Sequence, residues 1–158
     1  MKQHNGFTII ELIFVIVVLG ILAMVAIPRM SGAIDDAGVA KAKSDVAALR
    51  SAIASERQAR FLQGTAGYIS ALDHQGTTPG DGVTIFDDND TNASNGKLLT
   101  YGVVTGSNEG QWKKVGDNTY TFKSTEATTT FTYNSTTGIF TCTPGTDANG
   151  TLCKRIIY

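Results

Sequence analysis

Residues His4 to Met30 read HNGFTIIELIFVIVVLGILAMVAIPRM. An apolar run begins abruptly after Gly6, and a single carboxylate, Glu11, stands inside it. From Leu12 to Ile27 nothing charged or strongly polar interrupts. Phe7 to Ile27 is a stretch of 21 residues. As a helix rising 1.5 Å per residue it spans roughly 31 Å, close to the thickness of a hydrocarbon core. Its many Ile and Val residues do not forbid a helix, because a backbone in lipid must close its hydrogen bonds internally.

Two simple readings meet this stretch first. A secretory signal has a basic start and an apolar core of about 7–15 residues. Here only Lys2 precedes a longer run, although Ser31-Gly32-Ala33 would pass as a small-residue cleavage site. The other simple reading is a plain membrane anchor. Glu11 counts against both, since a carboxylate in the apolar part of a membrane helix costs roughly 2.5–3.5 kcal/mol on insertion scales. No Lys or Arg lies inside the segment to pair with it. A cut between Gly6 and Phe7 supplies a partner, a positive α-amine four residues from Glu11. Between two staggered copies these charges meet in low dielectric, where an ion pair is stronger than in water. Glu11 then acts as a register device.

Lys2-Gln3-His4-Asn5-Gly6 followed by Phe7-Thr8-Ile9-Ile10-Glu11-Leu12 resembles the type III signal of type IV prepilins and type II secretion pseudopilins. The resemblance implies that residues 1–6 are a leader removed after Gly6 by the prepilin peptidase. It implies that Phe7 becomes the N-methylated terminus and that Glu11 aids assembly. Gly20 and Pro28 fall where that family has helix-softening residues. Pro28 has no N–H to offer the Met24 carbonyl, and Gly20 has high backbone freedom, so the stretch between them bends most easily. The likeness is strong from Gly6 to Arg29 and weaker to about Leu62. The partners it implies are identical subunits in a homopolymer, the peptidase, and an inner-membrane assembly platform. The chain is expected in the bacterial inner membrane with its head in the periplasm, and later in an extracellular or periplasmic filament.

The rest of the chain is expected to form the head. A length of 158 residues suits one compact domain plus an appendage. Val39, Ala42, Val46, Leu49 and Ile53 form a helical stripe, and Ala40, Ala47, Ala54 and Phe61 a second. Both are expected to face the head core. Gly64 is the helix stop. The resulting class is α+β and pilin-like: one long helix from about 7 to 63, its C-terminal half packed on an antiparallel sheet of three to five strands. Residues 7–30 are the hydrophobic half of the helix and 31–63 the amphipathic half. Residues 64–97 are a loop tied to the head by Tyr68-Ile69 and Val83–Phe86. Residues 98–158 hold the sheet and a C-terminal disulfide loop, with strands in KLLTYGVV, GQWKKV, TYTFK, TTTFTY and GIFTC. Turns are expected at Val115–Thr119 and Tyr133–Ile139. Trp112, Tyr120, Phe122, Phe131, Tyr133 and Phe140 are expected in the core rather than in a stacking platform.

Cys142 and Cys153 follow a membrane or export segment, which favours a disulfide. The pair resembles the disulfide-bounded C-terminal loop of type IVa pilins, whereas many major pseudopilins lack it and use calcium. Calcium is the one candidate cofactor, with Asp81, Asp87, Asp88, Asp90 and Asn92 as candidate ligands. Ala93 and Leu99 break the EF-hand pattern. Asn89, Asn92 and Asn149 are glycosylation candidates, each in an N-x-[ST] site with an acid two residues before; Asn134 has the site without the acid. A net charge of −1 without a Lys/Arg cluster gives no strong nucleic-acid signal. No G-x-S-x-G, P-loop or Cys–His pair suggests an enzyme, and Asp73-His74 suits a polar loop. The leading expectation is a type IV pilin. The alternatives are a type II secretion pseudopilin and a minor tip-located pilin that binds a surface, DNA or an exported protein. A surface pilus would serve adhesion, motility or DNA uptake.

Overall fold

The computed structural model describes residues 6–73, 79–87 and 98–158, and for 27–31 the helical backbone alone. The chain divides into two compact units, Met1–Ile34 and Asp35–Tyr158. Helix α1 spans Ile9–Leu62, within two residues of the expected bounds. Its helical backbone continues through Gly20 and Pro28. In the first unit the window Ile9–Ala26 has a mean hydropathy of 3.1, and none of it is buried within the chain. It is long and apolar enough to cross a membrane.

In the second unit β1 is Thr84–Ile85, β2 Val103–Val104, β3 Gln111–Gly116, β4 Thr119–Lys123, β5 Thr128–Asn134 and β6 Ile139–Cys142; helix α2 is Ala148–Ile157. Strands β3-β4-β5-β6 form an antiparallel meander, and β1 pairs with β2 in a separate two-stranded sheet. Alternation decides the sheet. Strand β5 strictly alternates exposed and buried residues, so Thr129, Phe131 and Tyr133 point inward. Register then sets Trp112 opposite Phe122, Tyr120 opposite Phe131, and Tyr133 opposite Phe140. Trp112 and Phe131 meet edge to face at 5.1 Å, and Phe131 stacks on Phe140 at 5.2 Å. All six aromatic residues expected in the core are buried. Both expected hairpin turns occur, with Asn118 and Gly138 in the left-handed region that such turns use.

The stripe Val39, Ala42, Val46, Leu49, Ile53 is buried against this sheet. Gly38 allows a close approach here, since a Cβ on it would lie 3.0 Å from the Gly110 Cα. The second stripe is a correction. Ala40, Ala47, Ala54 and Phe61 are all exposed. Each stands one residue, about 100°, around the helix from the buried series and so falls outside the buried arc. Glu56 continues the buried series instead.

Two further expectations are corrected. KLLTYGVV contributes only Val103–Val104 to a strand; Gly102 packs too tightly against Thr84, Ile85 and Asp87 to accept a Cβ. The C-terminal disulfide loop does form between Cys142 and Cys153, but its second half is helical, and the helix continues beyond the bridge. Asp147 caps it by accepting from the Gly150 N–H at 3.1 Å, and Leu152, Cys153 and Ile156 turn inward. The islands do tie the 64–97 segment to the head, for Ile69, Ile85 and Phe86 are buried. Phe86 holds φ 62°, an outlier for a bulky residue, while packed on Trp112, Tyr120 and Phe140.

Candidate assembly site

The start of α1 is organised by a motif that the apolar pattern concealed. Thr8 is the cap and Glu11 the third helical residue. The Glu11 N–H donates to Thr8 Oγ1 at 3.3 Å, and the Thr8 N–H donates to Glu11 Oε2 at 3.4 Å. Thr8 Oγ1 also donates to Oε2 at 3.3 Å, and the Leu12 N–H closes the first turn on the Thr8 carbonyl at 3.2 Å. This reciprocal arrangement is a capping box, announced in sequence by T-x-x-E before an apolar run. It gives Glu11 local donors before any second copy arrives. A cut between Gly6 and Phe7 leaves the Thr8 N–H, and hence the cap, intact.

Phe7 is 85% exposed and Gly6 is exposed, so the bond between them is not covered by the rest of the described chain. A Cβ added at Gly6 or at Gly20 would meet nothing within 4 Å. Neither glycine is required by packing within this chain. Residues 1–5 of the expected leader lie outside the described residues.

The head is pinned by polar contacts at defined points. Asp35 accepts from the Thr125 N–H at 2.9 Å and from Arg155 at 3.2 Å, and Asp36 accepts from Arg155 at 2.8 Å. These bonds, the Thr125 N–H first, hold the Asp35 carboxyl below its ordinary range. Trp112 Nε1 donates to Asp45 at 3.0 Å; burial nevertheless pushes that carboxyl up. Inside the core Tyr120 donates to Asp73 Oδ1 at 2.7 Å, and Lys114 Nζ sits 2.6 Å from Asp73 Oδ2. That second contact is off the line of a hydrogen bond, so charge rather than direction holds it. Burial first, then Asp73, raises the Tyr120 phenol. Burial pushes the Tyr133 phenol up to about 12 while it donates to the Ile69 carbonyl at 2.9 Å.

Cys142, at the end of β6, is bonded to Cys153 on α2, with the Cα atoms 5.9 Å apart. Of the calcium candidates, Asp81 is engaged by Ser107 at 2.8 Å and Lys113 at 3.3 Å. Asp87 keeps a buried oxygen without a bond. Asp88, Asp90 and Asn92 lie outside the described residues, as does Asn89. Among the described residues no group of three His, Cys, Asp or Glu side chains is placed to hold a metal. Asn149 is exposed in the first turn of α2, and its Oδ1 accepts from the Thr128 N–H at 3.2 Å.

Comparison with known proteins agrees with this arrangement. A family model described as the prokaryotic N-terminal methylation motif matches residues 1–27. The chain is 36% identical over 105 residues to the type IV narrow pilus major component PilA5 of Thermus thermophilus, covering 66% of this chain and 90% of that protein. It is 42% identical over 52 residues to type II secretion system core protein G of Pseudomonas aeruginosa, covering 33% of this chain and 37% of that protein. A fimbrial protein of Pseudomonas aeruginosa is 44% identical over 55 residues, 35% of this chain and 36% of that protein. No solved structure matches. A capped apolar helix that begins within the methylation motif, a four-stranded head, and a relative matched over nine-tenths of its length lead to one conclusion: the chain belongs to the type IV pilin and type II secretion pseudopilin family.

Proposed function

We propose that this chain is a structural, non-catalytic subunit of a type IV filament, and within the family a pilin. The prepilin peptidase removes residues 1–6, and Phe7 becomes the methylated terminus. The subunit waits in the inner membrane with its head in the periplasm. An inner-membrane platform then assembles it into a homopolymer through α1. Lipid around Ile9–Ala26 is exchanged for neighbouring helices, and the Phe7 amine and Glu11 set the offset between copies.

The observation that favours a pilin is the extent of its likeness. Identity to the Thermus pilus component runs over 105 residues, while identity to the secretion protein covers 52. The second reading, a pseudopilin, draws on the higher identity of that shorter match, 42%. N-terminal mass spectrometry on sheared surface filaments and on the membrane fraction separates them. Methylated Phe7 in abundant surface filaments is the expected result. The same terminus confined to membranes would favour the pseudopilin. An intact Met1, or a start near Ile34, would overturn both.

A further inference from the structure

The last turns of α1, the segment around Tyr68 and the β5–β6 turn enclose an open groove of about 730 Å³. Ile53, Phe61, Tyr68 and Ile139 give it an apolar lining, and Arg50 and Arg57 stand in its wall. Phe61 is 74% exposed, so the groove leaves a large ring in water. Both arginines are fixed from the protein side. Arg50 donates from Nε and Nη2 to the Phe140 carbonyl at 3.2 and 3.1 Å. Arg57 donates to Tyr68 Oη at 2.6 Å, with its guanidinium carbon 4.5 Å from the ring centroid. These partners are neutral. Among the described residues no carboxylate lies within ion-pair distance of either arginine. The groove is therefore apolar, positively charged and preorganised.

A complementary surface lies at the other end of the same unit's helix. The Asp36 side chain is 79% exposed. Its Oδ1 meets Arg155 at 2.8 Å, and its Oδ2 takes no bond among the described residues. Ala37 and Ala40 beside it are exposed and small, which lets this turn approach another surface closely. Asp36 and Arg57 are 21 positions apart on one helix. At 1.5 Å per residue they are roughly 32 Å apart along its axis, so only two copies can bring them together.

We propose that the Arg50–Arg57 groove of one copy receives the Asp36 turn of a second copy, head to tail, with the Asp36 carboxylate against the Arg57 guanidinium. The inference rests on the filament reading above. Such a contact joins different surfaces of identical chains, so it does not close into a dimer but propagates as an open array. Its charge sets orientation and register, and covering Phe61 removes apolar surface from water. Successive heads along one stack would be offset by roughly 32 Å on the helix axis.

The test uses the intact chain in filament-bearing cells. Asp36→Cys and Arg57→Cys are introduced singly and together, and sheared filaments are oxidised and run without reductant. The double variant is expected to give a ladder of covalent dimers, trimers and longer species, and each single variant none. In parallel, Arg57→Glu is expected to lower filament yield at least about tenfold, and Arg57→Glu with Asp36→Lys to restore most of it. Filaments of the double-cysteine chain that remain monomeric on the gel overturn the proposal, as does normal yield from Arg57→Glu. The groove would then belong to a partner other than this chain. Absence of filaments from the unaltered chain would instead defeat the filament reading itself.

Discussion

Replacing both Cys142 and Cys153 by alanine tests what holds the C-terminal helix. The bridge spans a sequence separation of 11. The chain-entropy relation gives about 9 cal/mol/K for a loop of that length, or about 2.8 kcal/mol at 25 °C. The second unit runs from Asp35 to Tyr158. A domain of that size has a denaturant slope of about 1.5 kcal/mol/M in urea, so the midpoint should fall by about 2 M. Trp112 is the only tryptophan and is buried, which makes its fluorescence a clean reporter. Leu152 and Ile156 are buried on α2, so in the variant the helix should still dock once the domain folds. The expected outcome is a lowered midpoint with an unchanged slope. A midpoint within about 0.5 M of the parent would refute the reasoning, because it would mean that the cross-link does not restrain the unfolded chain.

Glu11→Ala should leave membrane insertion and leader removal intact but impair assembly, whereas Thr8→Val, which breaks the cap and keeps the carboxylate, should assemble better. Equal loss in both, measured as sheared-filament yield, would move the role of Glu11 from charge to capping. Gly6→Leu should block processing, which mass spectrometry of the membrane fraction reads directly; because no neighbour in this chain limits that position, normal cutting would refute the peptidase assignment. Gly138→Ala should destabilise the head by about 1–2 kcal/mol, since φ is +71° and the new Cβ would run into the Tyr68 ring; urea unfolding checks it. Asp35 has a lowered folded pKa, so its contribution is present above the unfolded value of 3.8 and is lost as pH falls through the lower folded one. Asp35→Asn should therefore melt below the parent at pH 7 and converge with it in acid, and a constant gap in Tm across that range would refute the assignment.

What could be read in the sequence followed from period and chemistry. The 3–4 spacing of Val39 to Ile53 named the buried face because each residue lies on one arc of the helix. Trp112, Tyr120 and Phe131 were expected in the core as the aromatic mass of strand-like segments, and in the structure all three face inward. The errors have separate causes. Ala40 to Phe61 repeat every seven residues as well as the buried stripe does, and periodicity alone does not say which of two neighbouring stripes meets the sheet. Helix α2 was obscured by Asn149-Gly150, poor helix formers that Asp147 and the Cys153 bond offset. The capping role of Thr8 was present as T-x-x-E but was hidden beneath the stronger signal of the charge on Glu11. The groove was not legible at all, because it joins Arg50 and Arg57 to Ile139 across more than eighty residues.

The energetics explain why small polar features govern so apolar a helix. None of the window Ile9–Ala26 is buried within the chain, and each large side chain left in water there would cost about 1.5–3 kcal/mol. Summed over the segment this excludes a free monomer in water and demands either lipid or other helices. Between those two environments, however, the apolar term nearly cancels, because lipid tails are as apolar as leucine. The choice between storage in a membrane and assembly then falls to terms of a few kcal/mol or less. The candidates are the Phe7 amine and Glu11 at one end of the helix, and the exposed arginines and Asp36 on the head. Those contacts lie in different dielectric environments. Salt screens exposed charges over about 8–10 Å at physiological strength and scarcely screens buried ones. Raising ionic strength should therefore loosen the head-to-tail contacts between heads before it affects the register proposed for the Phe7 amine and Glu11. Filaments that lost helix register and head contacts together as salt rose would place both sets of charges in water.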